Sequence, residues 1–180
     1  MVYNYKNCID MYGTDYKLKM ALNNNEIFKF DNGLYSDEKH ISDFEFLTLK
    51  RPDGIFTMNT AFYIYGLTDE IPSVYDMAID RLSSKTKFKK CKIKYYFQPK
   101  KFLDIGKIKY NYNGECINIY DKERLLIELL RYSSKMSFDI YKEVINNYRK
   151  IKIDFEKIEE YAKNFRNEES LLEKFRLEVL

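Results

Sequence analysis

The side chains with the clearest chemical potential are lysines in one short stretch of the chain. They are Lys85, Lys87, Lys90, Lys92 and Lys94. The last three alternate with apolar residues, so one face of a predicted strand over residues 90–97 would carry three ammonium groups about 7 Å apart. Between residues 81 and 109 there are 11 Lys or Arg residues and one acid, Asp104. Such a row of like charges repels itself and would bind a polyanion, because binding relieves the repulsion and releases counterions.

The same spacing has a second interpretation. Lysines on an exposed edge strand prevent that strand from pairing with another chain, without binding any ligand. Both interpretations fit the pattern, and both remain open on the sequence alone. The net charge of +3 for the whole chain does not decide between them.

A second group of candidate residues lies near the N-terminus, on a predicted helix and the hairpin that follows it. They are Lys17, Lys19, Asn23, Asn24, Lys29 and Asn32. Asparagine amides pair with adenine, and lysine contacts guanine or phosphate. Polar residues on a neighbouring hairpin would contact the DNA backbone. The group therefore predicts DNA contact; the alternative is that these are ordinary solvated residues at the end of a helix.

Residues 14–35 must supply the scaffold for this second group. Apolar residues at i, i+3 and i+4, from Leu18 to Leu22, predict one buried helical stripe. Thr14 can cap that helix, and Asn32-Gly33 between apolar residues predicts a tight hairpin. A helix running into a hairpin is the second half of a winged helix-turn-helix, in which the helix enters the major groove and the hairpin forms the wing. An ordinary helix and hairpin in a globular core is the alternative.

The rest of the chain alternates between the two kinds of element. The further predicted helices cover residues 3–12, 41–49, 57–65, 121–132, 138–150, 154–166 and 167–180, and the further strands cover residues 55–56, 74–80, 105–112 and 115–120. This order predicts an α+β protein. A small winged helix-turn-helix domain is predicted in residues 1–39, followed in residues 40–180 by a mixed α+β domain with a helical C-terminal tail.

Signatures of catalysis and of metal binding are sparse. The three cysteines are far apart, and His40 is the only histidine, so no metal site is predicted. No phosphate-binding glycine loop, G-x-S-x-G or H-E-x-x-H motif occurs, so no catalytic residue and no cofactor are predicted. The N-terminus lacks a signal-peptide pattern, and no run approaches the roughly 20 apolar residues of a membrane span. A cytoplasmic protein without a membrane partner is expected.

Four motifs follow one another along the chain. They are Asn-Gly-Leu-Tyr at 32–35, Phe-Thr-Met-Asn-Thr-Ala at 56–61 leading to Tyr-Gly-Leu-Thr-Asp-Glu-Ile-Pro at 65–72, Ile-Tyr-Asp-Lys-Glu-Arg-Leu at 119–125, and Tyr-Ala-Lys-Asn-Phe-Arg at 161–166. In this order they resemble the AbiEi antitoxins of type IV toxin–antitoxin systems, which act in abortive infection. The N-terminal domain is shorter than that family's by about one helix.

The resemblance implies a protein with two activities. Its winged helix would bind double-stranded DNA repeats in its own promoter and repress transcription. Its C-terminal domain would counteract a nucleotidyltransferase toxin similar to AbiEii, without a stable complex between the two. Two alternatives come from other classes: a protein-interaction module whose winged-helix remnant does not bind DNA, and a small defence nuclease.

Overall fold

Nine helices and two β-sheets make up the chain, and the computed structural model describes all of residues 1–180. The mixed α+β class predicted from the sequence is confirmed. The chain divides into two compact units, unit 1 (Met1–Phe46) and unit 2 (Leu47–Leu180). Unit 1 therefore extends past residue 39, where the sequence predicts the domain boundary. Helix α3 (Asp43–Lys50) spans the division between the units.

Unit 1 consists of a small sheet and two helices. Its elements are β1 (Val2–Asn4), α1 (Tyr5–Tyr12), α2 (Asp15–Asn23), β2 (Phe28–Asp31) and β3 (Leu34–Ser36). The three strands are antiparallel in the order β1-β3-β2. The sequence predicts a helix from residue 3, but Tyr3 pairs with Tyr35 in the sheet instead. Asn4 then caps α1 by accepting a hydrogen bond from the Asn7 N–H at 2.8 Å.

The predicted helix and hairpin of unit 1 are confirmed. The Thr14 hydroxyl caps α2 by accepting a hydrogen bond from the Lys17 N–H at 3.2 Å. The apolar stripe of α2 packs into a core of Cys8, Leu18, Ala21, Ile27 and Tyr35. The β2–β3 hairpin turns at Asn32-Gly33, where Gly33 has a φ of +70° that glycine adopts without strain. Helix α2 and the hairpin therefore share one core.

Unit 2 is built on a five-stranded sheet. Its strands are β4 (Ile55–Phe56), β5 (Tyr75–Asp80), β6 (Ile93–Gln98), β7 (Lys107–Tyr112) and β8 (Glu115–Tyr120). They are ordered β6-β5-β4-β8-β7, which makes β6 an edge strand. The β5–β6 and β4–β8 pairs are parallel, and the other pairs are antiparallel. The strands predicted over residues 105–112 and 115–120 form the antiparallel β7–β8 hairpin, which turns at Asn113-Gly114.

The helices of unit 2 are α4 (Met58–Ile64), α5 (Lys100–Leu103), α6 (Lys122–Tyr132), α7 (Phe138–Tyr148), α8 (Phe155–Ala162) and α9 (Glu168–Glu178). The sequence does not predict helix α5. Asp121 caps α6 through its side chain, which accepts a hydrogen bond from the Arg124 N–H at 2.8 Å. Residues 124–130 of α6 are all buried, with Leu125, Leu126 and Leu129 completely enclosed.

Strand β6 is shorter than the sequence predicts. It begins at Ile93, which pairs with Tyr75, the first residue of β5. The parallel pairing with β5 starts at this residue, and residues 90–92 precede the strand. The predicted strand over residues 90–97 is thus wrong in its first three residues.

The three cysteines differ in how far they are exposed. Cys8 and Cys91 are buried, Cys116 is exposed, and all three are free thiols. None of the helices has the length and apolar character that crossing a membrane requires.

Candidate nucleic-acid interface

The outward face of α2 carries three of the six candidate residues of unit 1. Lys17, Lys19 and Asn23 are exposed. Tyr16 and Met20 lie on the same open side, 71% and 46% exposed respectively. They fall opposite Leu18 on a 3.6-residue helix, so this face presents polar and apolar groups together.

Two of the cations near this face have partners within unit 1. The Lys19 ammonium forms a salt bridge of 2.8 Å with Asp15, one turn earlier on α2. The hydrogen bond and the opposite charge raise the pKa of Lys19 and lower the pKa of Asp15. The Lys29 ammonium lies 5.9 Å from the centre of the Tyr35 ring. Lys17 forms no salt bridge, so it is the cation of α2 most available to a ligand.

The remaining candidates of unit 1 lie at the end of α2 and on the hairpin. The Asn24 amide follows the helix and donates to the Glu26 carboxylate at 3.1 Å. Asn32 is exposed at the tip of the β2–β3 hairpin. The structure thus gathers the candidate residues of unit 1 on one helix and one hairpin.

The lysine stretch of unit 2 is less regular than predicted. Lys90 and Lys92 precede β6, so only Lys94 is part of the strand, and the predicted row of three on one strand face is wrong. Lys85, Lys87, Lys92 and Lys94 are exposed, whereas Lys90 is half-buried. The edge position of β6 also leaves the second interpretation available, in which Lys94 protects an exposed edge.

Lys85 and Lys94 lie against aromatic rings of β6. The Lys85 ammonium is 5.3 Å from the centre of the Phe97 ring, and the Lys94 ammonium is 5.1 Å from that of Tyr96. Cations at these distances are attracted by the faces of the rings. The two lysines are therefore partly positioned without a ligand.

The largest concentration of cations lies elsewhere in unit 2, in a cleft of ≈ 1170 Å³ that we term the basic cleft. Seven cationic residues line it: Arg81, Lys100, Lys101, Arg131, Lys163, Arg166 and Lys174. Aromatic rings line it as well: Phe97, Phe102, Tyr132 and Phe165. Asp80 is the single acidic residue in its wall. The sequence does not predict this site, because its residues come from five separate segments of the chain.

Below the basic cleft lies a buried ionic network. Arg124 is fully buried, and its Nη2 lies 2.6 Å from Oε1 of Glu128, one turn later on α6. The same oxygen accepts a hydrogen bond from Arg131 at 2.7 Å. Arg124 also donates to the Phe102 carbonyl at 2.8 Å. Its guanidinium lies 4.8 Å from the centre of the Phe165 ring, so the network holds one ring of the cleft in place.

Arg124 of this ionic network belongs to the motif at residues 119–125. Tyr120, Asp121 and Arg124 are all buried. The Tyr120 hydroxyl donates to the Leu103 carbonyl at 3.0 Å, and the Asp121 carboxylate accepts the Tyr161 hydroxyl at 2.9 Å. The motif at 119–125 therefore joins α5, α6 and α8 and has a structural role in this chain.

A single buried carboxylate stands apart from these groups. Asp76 accepts a hydrogen bond from the Asn59 N–H at 3.0 Å. Burial raises the pKa of Asp76 to about 6. No cluster of His, Cys, Asp or Glu with metal-binding geometry occurs in the chain.

The mixed α+β fold and the cationic surfaces define the class of protein only broadly. No protein-family model matches the chain. No curated protein matches it either. Its function must therefore be inferred from the geometry of the two units.

Proposed function

We propose that the protein is a DNA-binding antitoxin of the AbiEi kind, which represses its own promoter and counteracts a nucleotidyltransferase-like toxin. The observation that carries the proposal is the order of elements in unit 1. Helix α1 leads through a tight turn at Gly13, with a φ of +80°, into α2, and α2 is followed by the β2–β3 hairpin. Strand β1 pairs with β3 and completes a three-stranded sheet. This order supports a winged helix in which α2 is the reading helix and the hairpin is the wing.

The exposed side chains of α2 are of types that contact base edges in the major groove of DNA. The Asn23 amide can pair with adenine, and Lys17 can contact guanine or phosphate. Met20 and Tyr16 offer apolar atoms of the kind that contact thymine methyl groups. On the hairpin, Lys29 and Asn32 would contact backbone phosphates, which fixes the register of the helix but carries no sequence information.

Duplex binding tests this assignment directly. The affinity of the full chain is measured by fluorescence anisotropy for a duplex from upstream of its own gene and for a scrambled duplex. We expect Asn23→Ala to reduce the preference for the upstream duplex, by about 1–3 kcal/mol if the amide makes a bidentate contact. Lys17→Glu should weaken both duplexes, whereas the charge-matched control Lys142→Glu, at an exposed position on α7, should weaken neither. Equal binding of the two duplexes by the unmodified protein would contradict the assignment.

Phosphate affinity that unit 1 lacks would come from five lysines of unit 2: Lys85, Lys87, Lys90, Lys92 and Lys94. Unit 1 holds five lysines and eight acids, so it attracts a polyanion weakly by itself. Charge reversal of Lys90, Lys92 and Lys94 should reduce the slope of log affinity against log salt by about 0.9 for each phosphate that is no longer neutralised. An unchanged slope would remove these lysines from the interface.

The antitoxin activity is tested in cells. We expect co-expression of the chain to restore growth inhibited by a nucleotidyltransferase-like reading frame encoded beside its gene. A chain with Lys17→Glu should still restore growth, because counteraction is assigned to unit 2. Failure of the unmodified chain to restore growth would contradict the antitoxin assignment.

One observation favours a second candidate, a protein-interaction module. Tyr16 and Met20 expose apolar surface on α2, and such pairs are frequent where a helix contacts another protein. This candidate predicts no binding of any duplex by the unmodified chain. It also predicts that Tyr16→Ser with Met20→Ser would abolish association with the partner.

A further inference from the structure

The basic cleft takes no part in the function proposed above. The ends of β5 and β6 and the start of α5 form one side, and the end of α6, the turn after α8 and the first half of α9 form the other. Its volume of ≈ 1170 Å³ exceeds the ~300–1,000 Å³ typical of small-molecule sites. The size therefore suits an extended ligand better than a single metabolite.

The charges in the basic cleft are largely uncompensated. Within the chain, Arg131 is paired with Glu128 at 2.7 Å and Lys100 with Asp104 at 3.0 Å. The other five cations form no salt bridge: Arg81, Lys101, Lys163, Arg166 and Lys174. They come from both sides of the cleft. A ligand that carries regularly repeated negative charges would neutralise the cations on both sides of the cleft at once and release their counterions.

Aromatic rings lie among these cations. Phe102 and Phe165 pack with their ring centres 5.6 Å apart, and the Arg131 guanidinium lies 4.2 Å from the Phe165 ring centre. Phe97 is 36% exposed and Tyr132 is half-buried, so both present ring surface to the cleft. Cations that follow a backbone, together with rings that stack on bases, are the combination by which proteins bind unpaired nucleic-acid strands. An acidic peptide would contact the cations but would offer no bases to stack on the aromatic rings.

We propose that the basic cleft binds single-stranded nucleic acid, with phosphates between the cations of its two sides and bases against Phe97 and Tyr132. An unpaired strand can enter the cleft and turn its bases toward the rings. A duplex keeps its bases stacked inside and would meet only the rim. The site is built entirely from residues of unit 2, and the proposal does not depend on promoter binding by unit 1.

Anisotropy with labelled oligonucleotides tests the proposal on the full chain. The probes are a short oligouridylate, the matching oligodeoxythymidylate and a duplex of equal length. The cleft variant is Lys163→Glu with Arg166→Glu, and the matched control is Lys109→Glu with Lys142→Glu, which makes the same charge change on exposed residues outside the cleft. Circular dichroism verifies that both variants are folded.

We expect both single strands to bind the unmodified chain, and the cleft variant to bind them about tenfold or more weakly. Its salt slope should shrink by roughly 1.4, which corresponds to two phosphates left without a cation at about 0.7 each for single strands. The control variant should change neither quantity. Tighter binding of the ribonucleotide would assign contacts to the 2′-hydroxyl, and equal binding would assign the affinity to phosphates and stacking.

A second variant keeps the test decisive if charge reversal disturbs folding. Phe97→Leu removes a ring at a partly exposed position without altering any charge. We expect the affinity for single strands to fall by about fivefold or more, because each stacked base contributes measurably to affinity. A decrease of equal size in the control variant, an equal loss of duplex affinity in the cleft variant, or displacement by polyglutamate as effective as by unlabelled oligonucleotide would each overturn the proposal.

Discussion

Units 1 and 2 present their cations in different ways. In unit 1 the exposed lysines and amides lie on α2 and the hairpin directly after it, and an apolar core of five side chains supports them. In unit 2 the cations of the basic cleft come from residues as far apart as Arg81 and Lys174. The buried Arg124–Glu128 pair lies beneath them. A surface made of neighbouring residues depends on local structure, whereas the cleft depends on the correct packing of the whole unit.

The largest expected effect tests whether unit 2 relies on its buried charges. Arg124→Met leaves the Glu128 carboxylate buried without its main partner, so we expect the free energy of unfolding to fall by about 3–5 kcal/mol. Urea denaturation measures the change. Exposed Arg176→Met, on α9, is the matched control and should have little effect. Adding Glu128→Leu to Arg124→Met should recover part of the stability, because the unpaired charge is then removed; no recovery would contradict this account.

The next effect tests the apolar core of unit 1. Leu18→Ala removes a buried side chain from a core of only five residues, and we expect the stability of unit 1 to fall by about 3 kcal/mol. Binding of duplex DNA should fall with it, while single-strand binding by the basic cleft is retained. A parallel decrease of both activities would show that the two units do not fold independently. Leu177→Ala, at an exposed position on α9, is the control.

The third effect is a pH dependence that belongs to unit 2. Burial raises the pKa of Asp76 to about 6 from an ordinary value of 3.8. Between these values the folded chain holds the proton more tightly than the unfolded chain, so this group stabilises the fold at pH 4 and the contribution is lost as the pH rises through 6. The difference amounts to about 3 kcal/mol, since one pKa unit corresponds to about 1.4 kcal/mol.

Unfolding of Asp76→Asn at several pH values measures this contribution against the unmodified chain. The variant should gain stability relative to the unmodified chain as the pH rises from 4 to 7. Asp139→Asn, at an exposed position on α7, provides the reference for a surface acid. A constant difference between Asp76→Asn and the unmodified chain over this range would refute the assignment.

The smallest effect concerns the start of α2. Thr14→Ala removes the hydroxyl that accepts the Lys17 N–H, and removal of such a cap costs about 1 kcal/mol. Thr14→Ser keeps the acceptor and should restore most of the stability. Promoter affinity is measured for Thr14→Ala as well. A loss of affinity that the loss of stability fully accounts for would mean that the cap supports α2 and does not itself contact DNA.

The contrast between the units also explains which features could be predicted from the sequence. Thr14, the stripe from Leu18 to Leu22 and Asn32-Gly33 act on neighbours in the chain, so their spacing is sufficient to predict α2 and the hairpin. Strand β1 could not be predicted, because Val2–Asn4 is extended only through its pairing with β3. The start of β6 is misplaced for a similar reason, since its length is set by β5.

The basic cleft shows that a binding site, too, can be predicted from sequence only where its residues are neighbours in the chain. The density of lysine between residues 81 and 109 predicts a polyanion site, and three cations of the cleft fall in that stretch: Arg81, Lys100 and Lys101. Lys163, Arg166 and Lys174 lie among acids in the C-terminal helices, where the local balance of charge is negative. Only the packing of α8 and α9 against α6 brings them to the cleft, and no local pattern carries that information.

The exposed thiol of Cys116 makes unit 2 directly accessible to spectroscopy. Because Cys8 and Cys91 are buried, a maleimide dye should modify the folded chain at one position of β8 without any engineered substitution. Strand β8 does not line the basic cleft, so the dye would leave the cleft unobstructed. A chain carrying one fluorophore would then allow energy transfer to a labelled oligonucleotide to be followed in real time.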